Sequence, residues 1–198
     1  MFVVCNLLMQ DSDLVSGIII HCKNFGDKDK LLHIITPDSG IALCICKFGN
    51  TSKQANLLQI GTEGNFAITS KRQSQSSSFK PVKLEEVSFL WLTNCSDIIK
   101  TLGIFSINEL LLSMQAHTSP RDFANYKMLI SQNCITSFTA CYLNFKLDLI
   151  SSYLPSANDR SQLNIKSLKS MFLSYLEANG LSQKQFPASM DFYKLFNL

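Results

Sequence analysis

The sequence predicts an α+β chain, β first and then α, in which an N-terminal barrel of short strands is followed by an all-α helical domain. Three observations carry this. As far as Leu92 the apolar residues come in short runs rich in β-branched side chains, which suit a pleated surface. Clusters of Gly, Pro, Asn, Asp and Ser, the turn-forming residues, separate those runs. Beyond Asn94 the apolar spacing becomes helical.

Ser16–Cys22 is the first expected strand, and polar Asn24–Asp29, with Gly26, is a turn. Lys30–Thr36 is the second strand. Pro37-Asp38-Ser39-Gly40 has Pro early and Gly late, the order a type I turn favours. Ile41–Phe48 is the third strand. A polar loop, Gly49–Asn56, then a short apolar Leu57–Ile60 and a turn bracketed by Gly61 and Gly64 lead to a fourth strand, Phe66–Ser70. Lys71–Ser78 (KRQSQSSS) is a basic loop too polar to bury. Pro81–Leu92 is the fifth strand. Strands of this number and size suit an OB-fold barrel.

In the second half, Ser106-Ile107-Asn108-Glu109 has the form of a capping box and predicts a helix start at Ser106. Leu110, Leu111 and Met114 continue it as an apolar stripe. Ser119-Pro120 predicts another start, with Pro where its missing N–H costs nothing. Cys134–Leu154 is a longer helical run, and Pro155–Ser161 a polar break. Ile165–Asn179 is the next helix, with Asn164 as cap and Gly180 as stop. Met190–Phe196 is a short terminal helix. The expected domains are therefore 13–93 (OB-fold) and 94–198 (helical), with 1–12 read as an N-terminal extension.

Composition narrows the function. A hydrophobic content of 46% in 198 residues supports a true core. The net charge is +3, too small to argue for nucleic acid by itself. Its distribution says more: between Ile41 and Lys83 the cations are Lys47, Lys53, Lys71, Arg72, Lys80 and Lys83, and the only acid is Glu63. A locally basic stretch is the footprint a phosphate binder needs, and equally that of a solvated face. Seven scattered cysteines without a CxxC pair suggest no disulfide framework and a reducing, cytoplasmic compartment. Cys44 and Cys46 share one strand face and read as small buried hydrophobes. The N-terminus lacks the positive region of a signal peptide, and no apolar run reaches the ~18–20 residues of a membrane span.

Nothing reads as a catalytic centre or a cofactor site. His21, His33 and His117 sit in separate elements, the first two in strands, where a hydrogen-bonded structural histidine is the default. Asp27 and Asp29 share a turn with Lys28 and Lys30, and Glu85 and Glu86 would face opposite sides of a strand. No HxxxH, GxSxG or Walker A loop occurs. A binding role fits better. An OB barrel holds single strands with a basic groove and aromatic platforms. The candidates are Lys47, Lys53, Lys71, Arg72 and Lys80, interleaved with Phe48, Phe66 and Phe79; for Phe66, inside a strand, core packing is the competing role.

The pattern of Asp29-Lys30-Leu31-Leu32, a strand running into Thr36-Pro37, a Gly turn and an apolar strand ending in Lys47-x-Gly49 resembles RecO, a bacterial recombination mediator family. Leu102–Leu111, with an aromatic and then Asn-Glu-Leu-Leu, and the tail Leu181–Phe196 are similar to that family as well. The resemblance implies an OB-fold, no catalytic site and no cofactor. It also implies single- and double-stranded DNA as ligands, annealing of complementary strands, and engagement of the C-terminal tail of single-strand-binding protein. RecR would be a partner and RecA an indirect one, in the cytoplasm with the nucleoid and away from membranes. An acidic, apolar tail needs cations beside an apolar pocket in the helical domain. The expected lining is Arg121, Phe123, Tyr126, Lys127, Phe145 and Lys146. Members often carry a four-cysteine zinc site before the last helices. Here Ser151–Asn164 holds no cysteine, so no zinc site is expected there. The alternative is an OB-fold protein-interaction module without DNA-binding activity.

Overall fold

The computed structural model describes residues 12–26, 29–38, 40–47, 57–69, 80–90, 97–114, 118–151, 153 and 163–198. The chain divides into two compact units, one formed by Met1–Thr36 with Ala42–Leu90 and the other by Pro37–Ile41 with Trp91–Leu198.

The first unit holds β1 (Ser12–Phe25), β2 (Asp29–Thr36), β3 (Gly40–Cys46) from Ala42 onward, β4 (Thr62–Thr69) and β5 (Lys80–Leu90). They close into a barrel in the order β1-β2-β3-β5-β4, an OB-like arrangement. β3 and β5 run parallel, while β1–β2, β1–β4 and β4–β5 are antiparallel. β1 is twice as long as its apolar run suggested because it serves two neighbours. Ser12–Ile18 pairs with β4, and Ile18–Phe25 pairs with β2. At the hand-over the register shifts between Ile19 and His21. Such a bulge bends a strand and increases its twist, as closure requires.

Gly17 pairs with Gly64 beside that bend. A Cβ on Gly17 would lie 2.5 Å from Ile34 Cγ2, and one on Gly64 would run into the Glu86 carbonyl oxygen. Gly64 is thus a strand residue and not the turn residue expected from the sequence. Gly61 takes the turn, with φ at 82°.

Leu32/Ile34, Cys44/Cys46, Phe66/Ile68 and Val82/Leu84 fill the barrel interior together with Ile19 and Leu58. This is the period of two that a pleated strand imposes. Each large side chain so buried contributes about 1.5–3 kcal/mol. Cys44 and Cys46 are buried, as their alternation suggested.

The second unit holds α1 (Ile98–Ser113), α2 (Pro120–Ile130), α3 (Ile135–Ser151), α4 (Ile165–Ala178) and α5 (Pro187–Lys194). α1 begins well before the expected Ser106. Its N-cap is Asp97, whose carboxylate accepts the N–H groups of Ile99 (2.9 Å) and Lys100 (3.3 Å). Ser119 does open α2, and the Asp122 carboxylate accepts its N–H and its hydroxyl. Asn164 caps α4 by accepting the Ser167 N–H at 2.9 Å. Gly180 ends that helix with φ at 64°, and the Leu181 N–H returns to the Leu176 carbonyl at 2.8 Å. Gly103 on α1 lets the rings of Phe138 and Phe192 approach; a Cβ there would meet Phe138 at 2.8 Å.

Candidate nucleic-acid interface

The outward residues of the barrel follow from its inward ones. On β5, Val82 and Leu84 point into the core, which turns Lys83 and Glu85 outward. The parallel pairing matches Cys44 with Lys80 and Cys46 with Val82. Exposed Lys47 and exposed Lys83 each stand one residue past that last pair. Lys83 is in an ion pair with Glu85 at 3.0 Å, at an exposed position where such a pair is worth at most about 1 kcal/mol. Glu86 is exposed and accepts the Asn65 amide at 3.2 Å.

On β1 the bulge sets the outward residues. Cys22 pairs with core residue Leu32, so His21, Lys23 and Phe25 face away from the core. Phe25 is 43% exposed, Lys23 is exposed, and His21 and His33 are half-buried. His21 and His33 are direct register partners, with ring centroids 5.3 Å apart at an interplanar angle of 68°. Burial lowers the pKa of both imidazoles, with Lys23 adding to the effect; that of His33 is lowered to about 4. The Nδ1 of His33 is buried without a hydrogen-bond partner.

The expected DNA-binding residues divide as follows. Lys47 is exposed at the end of β3. Lys80 is the first residue of β5. Lys53, Lys71, Arg72 and Phe79, with Phe48, lie outside the described residues. Phe66 is 0% exposed in the barrel core, so it cannot stack on a base. Lys23 and Phe25 add a cation and an aromatic that motif reading passed over, and Lys83, counted in the basic stretch but not among the candidates, adds a second cation. The alternation of β1 past its bulge is the signal that would have found the first two.

The expected tail pocket is not assembled as one surface. Arg121 and Lys127 are exposed on α2, and Phe123 is half-buried. Tyr126, Phe145 and Lys146 are core residues, at 0%, 3% and 0% exposure. Arg121 reaches Asp148 at 3.3 Å across a cavity of about 330 Å³ that Asp122 also lines. Two carboxylates there oppose an acidic ligand.

Lys146 has a different role. Its Nζ donates to Ser106 Oγ (2.6 Å), Tyr142 OH (3.0 Å) and Ser189 Oγ (3.2 Å). It also lies over the rings of Phe172 at 4.2 Å and Tyr193 at 4.8 Å. Burial drives the amine well below the ordinary lysine range, and Glu109 pulls it partly back. Lysine is read as a surface residue by default, which is why the sequence placed it in a pocket.

Among the described residues, no helix is long and apolar enough to cross a membrane. A search of curated proteins finds no match to this chain. The family model for the N-terminal domain of recombination protein O matches residues 9–87, a span that runs from before β1 to Val87 in β5. Over that span the barrel is similar to the N-terminal domain of the RecO family of recombination mediators.

Proposed function

We propose that the chain is a non-catalytic DNA repair and recombination mediator. In this reading the barrel binds single- and double-stranded DNA and anneals complementary strands. The helical unit engages the C-terminal tail of single-strand-binding protein, RecR joins the complex, and RecA is loaded as a result. The observation that carries the reading is the closed barrel in OB strand order over the span that matches the family. Lys47, Lys80 and Lys23 would follow the phosphates, with Lys53, Lys71 and Arg72 extending the track and Phe25 and Phe79 offering stacking faces. Stacking contributes about 1–3 kcal/mol per base, and each neutralised phosphate adds a salt-dependent term. For the tail, Arg121, Phe123 and Lys127 remain as α2 contacts. The compartment proposed is the cytoplasm, with the nucleoid.

A second reading, a barrel that docks a protein and no DNA, is favoured by the Lys83–Glu85 pair and the exposed Glu86. Anisotropy of labelled single-stranded DNA at about 50 and about 200 mM salt separates the two. The mediator reading expects binding that weakens with salt and collapses when Lys47, Lys53, Lys71 and Arg72 are changed to Ala. No binding at the lower salt would overturn it in favour of protein docking.

A further inference from the structure

We propose that His21 and His33 form a two-imidazole site on the barrel for a divalent transition-metal ion of the zinc type. Three observations lead there. The residues are direct partners across antiparallel strands, so their side chains leave the same spot on the same outward face. Their ring centroids are 5.3 Å apart. Two imidazoles on one tetrahedral ion, with each nitrogen about 2.0–2.1 Å from the metal, hold their centroids roughly 5 Å apart. The ring centroids are therefore already at a ligating separation.

The third observation is the unpartnered Nδ1 of His33. A buried polar nitrogen without a hydrogen bond costs free energy until something meets it. A metal ion that takes that nitrogen directly would remove the cost. The depressed basicity of the pair works in the same direction, because only a neutral imidazole can ligate.

The surroundings limit the class of ion and the strength of binding. Imidazole suits zinc, copper and nickel, whereas magnesium and calcium want oxygen. Among the described residues no group of three or more His, Cys, Asp and Glu side chains could hold a metal ion, so water would complete the coordination sphere. Lys23 is exposed on the same face two residues from His21 and repels a cation. The site is thus an exchangeable one that pins β1 to β2, unlike a closed structural zinc centre. It does not depend on whether the barrel binds DNA.

The test is a zinc titration of the full chain carrying Cys134→Ser, since an exposed thiol competes for zinc. It is followed by calorimetry and by the side-chain nitrogen resonances of the three histidines. The expected result is saturable one-to-one binding that moves the signals of His21 and His33 and leaves His117 in place. His21→Gln and His33→Gln should each weaken binding at least tenfold, and magnesium should have no effect. Lys23→Ala, at an exposed position, should tighten binding roughly two- to fivefold by removing the repulsion. If a histidine variant fails to fold, the resonances and the Lys23 variant still decide. Binding of equal strength in both histidine variants, unmoved His21 and His33 signals, or no saturable binding would each overturn the proposal.

Discussion

Glu109, within α1, accepts the backbone N–H of Ser189 at 2.9 Å. Its other oxygen takes the N–H of Ala188 at 2.6 Å. One carboxylate therefore caps α5, a helix about eighty residues further along the chain. Glu109→Ala should destabilise the helical unit by about 1–2 kcal/mol, the usual value of a lost cap, and Glu109→Gln by less. Thermal denaturation measures the loss, and faster amide exchange at Ala188 and Ser189 would locate it. Unchanged exchange at those two amides would show that the cap carries no energy.

Lys146 makes the helical unit pH-sensitive. Its folded pKa lies below the ordinary 10.5, so between the two values the unfolded chain binds more protons than the folded one. Stability then rises with pH across that window and levels off as pH passes 10.5. Tyr142 works the other way above about pH 10, because burial raises its pKa in the fold. The expected profile climbs with pH below about 10 and turns down beyond, where the unfolded chain ionises its tyrosines first. Lys146→Met should flatten the climb. It should match or exceed the wild type at pH 7, by up to about 4 kcal/mol, since Ser106 still reaches Tyr142 and Ser189 at 3.0 and 2.8 Å. A climb that survives in Lys146→Met would assign it to another group.

The Gly17–Gly64 pair should tolerate no side chain. Gly64→Ala would drive its Cβ into the Glu86 carbonyl, a backbone atom that cannot swing away. We expect a loss of about 2 kcal/mol or more, against roughly 1 kcal/mol for Gly26→Ala, where only the positive φ of 67° opposes the change and the space is open. Denaturant midpoints of the two variants give the comparison, and equal losses would contradict it.

Cys134 should be the first to react among Cys22, Cys44, Cys46, Cys134 and Cys141. It is exposed, and backbone N–H groups of Ser137 and Thr136 at the start of α3 lower its pKa. Burial raises the pKa of Cys22, Cys46 and Cys141. Mass spectrometry after limited alkylation at pH 8 ranks the five; earlier modification of Cys22 or Cys141 would reverse the order.

What the sequence made legible was the barrel, because strand alternation is local and the apolar runs are separated by strong turn residues. Helix starts at Ser119 and Asn164 were legible for the same reason. Ser106-x-x-Glu109 misled because residues three apart also share a face in the middle of a helix. In the fold both serve α5: Ser106 Oγ lies 2.8 Å from Ser189 Oγ, and Glu109 takes the Ser189 N–H. The pairing of His21 with His33 depends on register, which the intervening turn and the bulge set and no spacing rule reveals. Lys146 was misplaced because its three hydroxyl partners come from residues scattered from Ser106 to Ser189.

The β1 strand has one more consequence, for the order of assembly on the ribosome. Its C-terminal half can pair with β2 through a short hairpin as soon as both have emerged. Its N-terminal half must wait for β4, and β3 must wait for β5, whose parallel pairing cannot be made by a hairpin. Until Lys80–Leu90 is synthesised, β3 carries an unpaired edge with Cys44, Ile45 and Cys46 along it. Barrel closure is therefore a late, long-range event, and the half-made barrel is the species that a chaperone or a second nascent chain would meet.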